Sequence, residues 1–118
     1  MTLSPAALYA SADMSGRAAA NALVCRPMVV TNTSGSQRWL VEDGVCGFAW
    51  VKIRPATGPF VKFLKDNQIG RKDSYAGGYM VSIFDYNQSM QKKEAYAYAF
   101  AEVLNANGVN AVASSRMD

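Results

Sequence analysis

The alternation of apolar and polar positions changes period several times along the chain, and each change marks an expected element. Ser4 followed by Pro5 reads as an N-cap with proline in the first helical turn, and the alanine-rich run to Leu23 predicts a helix with Gly16 as its weak point. The apolar face of that helix is mostly alanine, which suits either light packing on a core or contact with another subunit. The stretches 23–30 and 37–42 flank the turn cluster TNTSGS and predict a hairpin, with Pro27 confining its first strand to an edge or a bulge. Asp43-Gly44 is a further tight-turn signal, after which VCGFAWVKI (45–53) predicts a longer strand and completes a three-stranded antiparallel meander.

Beyond Pro55 the period changes to that of a helix. GPFVKFLKDN (58–67) sets Phe60, Phe63 and Leu64 on one side with Lys62, Lys65 and Asp66 opposite, and Gly70 lies just past it. RKDSYAGG (71–78) predicts a loop, 79–86 a strand, and 109–115 a last strand. Between these two strands, the stretch from about Ser89 to Asn105 predicts a long helix, ended by Gly108 in a left-handed cap. Lys93, Tyr96, Ala97, Phe100, Ala101 and Leu104 share one face of that helix, so the alternation AYAYAF is a packing surface rather than a stripe. The expected class is α+β, a single domain over 1–118. A mainly antiparallel sheet, the N-terminal meander plus two later strands, is covered by helices. Residues 1–22 form an N-terminal helix and candidate oligomerisation element, and 23–118 the core.

Composition and charge narrow the function. Half of the residues are apolar and 18% are charged, the profile of a chain that buries a core, and 118 residues fit one domain. The net charge is +3 and the pI about 9.0, yet the 12 Lys and Arg are scattered without a run. A basic patch must therefore be assembled by folding, which suits a small anionic ligand better than a long nucleic-acid track. Cys25 and Cys46 have no C-x-x-C partner and the chain has no histidine, so core thiols are expected and a metal site is not. A disulfide between them is geometrically open but lacks a secretory signal to support it. No basic stretch precedes a continuous apolar one, and no run approaches the ~20 apolar residues of a membrane helix. These readings place the chain inside a cell, with no cofactor and no membrane partner.

Three stretches can carry binding chemistry. In EDGVCGFAWVKIRP, period two places Phe48, Trp50, Lys52 and Arg54 on one side of a strand, with Val45, Ala49, Val51 and Ile53 on the other. An aromatic pair leading to cations can stack on a base and pair with a phosphate. The same pattern also fits an inner face whose basic end emerges into water. At the start of the long helix, Asn87, Gln88 and Ser89 offer polar side-chain donors and Lys92 and Lys93 positive charge, which suits an anion at free backbone N–H groups. The plainer alternative is a capped helix with solvated lysines. Arg116, preceded by two serines, could present a guanidinium at a sheet edge, and Tyr75 with Gly77-Gly78 marks a loop able to approach a ligand. No G-x-S-x-G elbow and no carboxylate partner at motif spacing accompany these residues, so a non-enzyme is expected.

The blocks VEDGVCGFAWVKIRP and NQSMQKKEAYAYAFAEVL, with the terminal SRMD, resemble small proteins of tailed bacteriophages and, among them, the Thoeris anti-defence proteins of the first type. The resemblance runs from about residue 23 to the end. It implies a sponge that binds cyclic ADP-ribose isomers, and in some members cyclic oligonucleotides, without cleaving them. It also implies a homo-oligomer in the cytoplasm of an infected bacterial host. A ligand of that kind has an adenine to stack and a diphosphate to neutralise. On chemistry, the residues expected to meet it are Phe48, Trp50, Arg54, Tyr75, Asn87, Ser89, Lys92 and Arg116. The competing expectations are a phage structural or protein-interaction module without a small ligand, and a weak single-stranded nucleic-acid binder.

Overall fold

A computed structural model describes residues 3–23, 28–31, 38–41, 47–84 and 89–117. Cys25, Pro27, the Asp43-Gly44 turn, Cys46, Asn87 and Gln88 lie outside the described residues. The elements run α1 (Pro5–Ala22), β1 (Met28–Thr31), β2 (Arg38–Val41), β3 (Gly47–Ile53), α2 (Pro59–Asp66), β4 (Arg71–Lys72), β5 (Tyr79–Ser82), α3 (Met90–Ala106) and β6 (Ala111–Met117). The class is α+β with an antiparallel sheet and an N-terminal helix, as expected. The strand partners differ in one respect. β1 and β2 form a two-stranded sheet of their own, and β3 instead sits inside a four-stranded sheet of order β4-β5-β3-β6. β3 pairs along its two edges with β5 and β6, and Tyr79, Val81 and Ala111 of those strands are buried together with its Ala49, Val51 and Ile53. The expected loop at 71–78 also begins as a strand, because Arg71 and Lys72 pair with Met80 and Tyr79.

α1 starts where the sequence says it should, with the Ser4 hydroxyl accepting from the Ala7 N–H at 3.2 Å and proline at the first turn. Its buried residues are Leu8, Ala12, Gly16 and Ala20, one every fourth position, and they lie against α3. The alanine face therefore serves contact within the chain. On α3 the buried set is Lys93, Tyr96, Ala97, Phe100, Ala101 and Leu104. α3 lies in turn on β3 and β6, and Asn105 ties its end to β6 by donating to the Ala111 carbonyl (2.8 Å) and accepting its N–H (3.0 Å). Tyr9 links all three helices, with its ring 5.7 Å from Phe100 and 5.9 Å from Phe63. Among the described residues no helix is long and apolar enough to cross a membrane.

Two helices end in the same hydrogen-bond pattern with different residues. After α3, Gly108 takes φ +84° while Val109 N–H reaches the Leu104 carbonyl at 2.9 Å. After α2, Ile69 N–H reaches the Leu64 carbonyl at 2.8 Å, but the left-handed position holds Gln68 at φ +58°. Gly70, which the sequence offered as the stop, comes two residues later. A side chain in that conformation costs about 1–2 kcal/mol, so Gln68→Gly is expected to raise stability by about 0.5–1 kcal/mol after the extra entropy of glycine is counted.

Gly16 is subject to the opposite constraint. Alanine in a helix interior is better than glycine by up to ~1 kcal/mol. Here, however, a Cβ would stand 2.6 Å from the Tyr96 ring. That ring is buried and its hydroxyl donates to Asp13, so it has nowhere to retreat. Overpacking costs about 1–3 kcal/mol and wins. Gly16→Ala is expected to lower stability by about 1–2 kcal/mol, seen as a lower urea midpoint with an unchanged slope.

Candidate ligand-binding site

Period two divides the side chains of β3 between the two faces of the sheet. Ala49, Val51 and Ile53 are buried beneath the helices, together with Tyr79, Val81 and Ile83 from the neighbouring strand segment. Phe48, Trp50, Lys52 and, just past the strand, Arg54 are on the opposite, solvent-facing side. The register builds that face in rows. Phe48 is opposite Arg116, Trp50 lies between Ser82 and Ser114, and Lys52 lies between Met80 and Val112. Ile83 N–H donates to the Ala49 carbonyl at 3.0 Å, which carries the pairing one step past β5 and delivers Phe84 beside Phe48.

The Phe48 end of the face concentrates positive charge. Phe48 is 42% exposed, and its ring centroid is 5.5 Å from the Arg116 guanidinium carbon and 5.7 Å from Lys93 Nζ. Each cation gains about 0.5–1 kcal/mol from the ring quadrupole, but the two repel one another. Among the described residues neither has a carboxylate within ion-pair distance. A cavity of about 280 Å³ opens here, lined by Phe48, Ala49, Trp50, Ser82, Ile83, Phe84 and Lys93. Phe84 stands 87% exposed at its rim. The arrangement offers flat apolar surfaces, a hydroxyl and an ammonium without a described carboxylate partner in the cavity, with a guanidinium on the Phe48 ring beside it.

The other end of the face serves the chain itself. Lys52 pairs with Asp73 and also donates to the Gly77 carbonyl at 3.0 Å, while Arg54 donates to the Ala76 carbonyl at 3.3 Å. Asp73 closes the turn from within, accepting the N–H groups of Tyr75 and Ala76, each at 3.0 Å. The stems of Lys52 and Arg54 lie against Gly78, so the close backbone approach expected of the glycine pair is made to the protein's own side chains. Tyr75 projects from the tip of the turn, 99% exposed.

The expected site residues therefore divide. Phe48, Trp50 and Arg116 come together. Arg54 and Tyr75 belong to the opposite end, six residues along the strand and about 20 Å away. Ser89 is buried as the cap of α3, accepting from the Lys92 N–H at 3.4 Å; the plainer reading of that helix start had the cap, but its solvated lysines are not found, because Lys93 is buried. Lys92 is half-buried and outside the described lining of the cavity. Lys93 takes the place expected of it. The signal was available: Lys93 is the one charged residue on the buried face of α3.

A second cavity, about 340 Å³, also bordered by Phe84, has Tyr9, Asp13, Arg17, Gln68 and Tyr96 in its lining. Arg17 pairs with Asp13 at 3.0 Å, and Tyr96 donates to the same carboxylate. Burial, reinforced by that hydrogen bond, pushes the Tyr96 phenol up, which keeps it a donor rather than a base. Compared with family models, curated proteins and solved structures, the chain returns no match in any of the three.

The Lys52 hydrogen bond, followed by the Ala76 and Tyr75 amides, holds the Asp73 carboxyl down from 3.8 to about 2. A carboxyl with a lower pKa in the folded state stabilises the fold above its unfolded value and loses that contribution as protons reach it. The turn is expected to hold above roughly pH 4 and to loosen as the pH falls toward about 2. The Tyr75 and Ala76 amide resonances should titrate in that window, and Asp73→Asn should remove the transition. A transition centred in the ordinary carboxylate range would contradict this assignment.

Proposed function

We propose that the chain binds and sequesters a small anionic nucleotide-like signal at the Phe48 end of the open sheet face, without transforming it. One observation carries the reading: an accessible aromatic ring flanked by two cations that have no carboxylate partner among the described residues. A base can stack on the exposed aromatic surfaces, and a phosphate can satisfy charges that the protein leaves unmatched. The resemblance of residues 23–118 to the first-type Thoeris anti-defence proteins supplies the ligand class, a cyclic ADP-ribose isomer or a cyclic oligonucleotide. On the same resemblance the proposal extends to a homo-oligomer acting in a phage-infected bacterial cytoplasm. Sequestration rather than turnover fits a site with no histidine and no identified acid–base pair.

Exposed Tyr75, Phe84 and Val112 favour a second reading, a protein-interaction module without a small ligand. A thermal-shift and calorimetry screen against cyclic ADP-ribose isomers, cyclic di- and trinucleotides, NAD and short single-stranded DNA separates the two. Stabilisation by a nucleotide is expected, with intact ligand recovered after heat denaturation. Arg116→Ala should weaken binding by about 1.5–3 kcal/mol, the usual worth of one charge-assisted hydrogen bond. Arg54→Ala should leave affinity unchanged, because that side chain is committed to the Ala76 carbonyl. Binding to no member of the screen would sink the sponge reading and leave the interaction module.

A further inference from the structure

Two lysines near the open face are held in opposite ways. Lys52 has Asp73 as its counter-ion. Lys93 is more deeply buried, at 5% exposure, and its only hydrogen-bond acceptor among the described residues is the Gly47 carbonyl at 3.2 Å. An ammonium has three donors, and a neutral carbonyl with the face of Phe48 compensates only part of the cost of taking the charge out of water. The side chain reaches the cavity between Phe48 and Phe84. A methionine of similar length would fill the same path without that cost, so folding alone gives no reason for a lysine here.

We propose that Lys93 is the specificity-determining residue of the site: its buried ammonium receives the ligand's phosphate in the slot between Phe48 and Phe84, while the attached ring system stacks on the exposed aromatic surfaces. This rests on the proposed nucleotide binding and specifies which group the protein selects. The aromatic walls attract any planar molecule, whereas the buried cation admits an anionic one by preference. A nucleoside leaves the Lys93 charge uncompensated, and its nucleotide does not. Arg116, exposed on the same ring, meets the phosphate from the solvent side. The slot thus distinguishes ligands by charge more than by the identity of the base.

The test is Lys93→Met, with Lys93→Arg as the charge-keeping control, probed with cyclic ADP-ribose and with AMP against adenosine. Without ligand, Lys93→Met is expected to melt at a higher temperature than the wild type. Its affinity for cyclic ADP-ribose should fall roughly 10- to 150-fold, the equivalent of one charge-assisted hydrogen bond. The wild-type preference for AMP over adenosine should shrink by a similar factor, and Lys93→Arg should retain most of it. If Lys93→Met fails to fold, the wild-type Lys93 ammonium resonance decides, moving on addition of cyclic ADP-ribose if the proposal holds and standing still if it does not. Affinity reduced in Arg116→Ala but intact in Lys93→Met overturns the role of Lys93 and leaves the nucleotide reading standing. A wild type that binds no nucleotide overturns both.

Discussion

The close approach of α1 to α3 is the constraint on which the rest of the molecule depends. Three small residues, Ala12, Gly16 and Ala20, continue the every-fourth-residue row begun by Leu8 on α1 and lie against α3, whose own Ala97 and Ala101 are buried. Tyr96 occupies the space that a side chain at Gly16 would need. Because this packing is tight, Phe100 and Leu104 are almost fully enclosed, each contributing roughly 1.5–3 kcal/mol by burial. α3, with α1 on its other side, then lies on one side of β3. It covers Ala49, Val51 and Ile53.

A sheet covered on one face alone has an inventory of side chains left on the other, and here the two ends treat theirs differently. At the Arg54 end a carboxylate is supplied from within: Asp73 pairs with Lys52 and accepts two amides, while Arg54, like Lys93 at the other end, has one backbone carbonyl. That end is a staple, holding the 73–78 turn in a fixed place with Tyr75 at its tip. At the Phe48 end, Arg116 and Lys93 share one aromatic ring and no described carboxylate answers them. The contrast between the ends matters more than cation content, which is similar at both. Unmatched charge in a partly enclosed, aromatic-lined space is unfavourable until an anion arrives, and that is the physical basis for reading it as a binding site.

Much of this was legible in the residues themselves. Local rules placed the ends of α1 and α3 at Ser4, Ser89 and Gly108, because caps and the left-handed stop are chemical properties of those side chains and act over three or four residues. Helical period selected the six buried residues of α3, and period two separated the faces of β3. Each of these is a statement about geometry within one element. The α+β class followed from adding them together.

What the tertiary structure alone decided concerns pairs of elements. Sequence adjacency suggested that β3 would continue the hairpin, but strand pairing is chosen by which surfaces can be buried together, and β3 went to β5 and β6. Period two and the strand rise put Phe48 and Arg54 on one face about 20 Å apart, without saying which end would be left open. Nor could the sequence say that Arg54 is committed to a loop 22 residues further on, while Arg116 returns beside Phe48 from the far end of the chain. Lys93 shows the division most clearly. Its place on the buried side of α3 is fixed by 3.6 residues per turn, but its position beneath Phe48, without a counter-ion among the described residues, exists only once helix and sheet have been packed together.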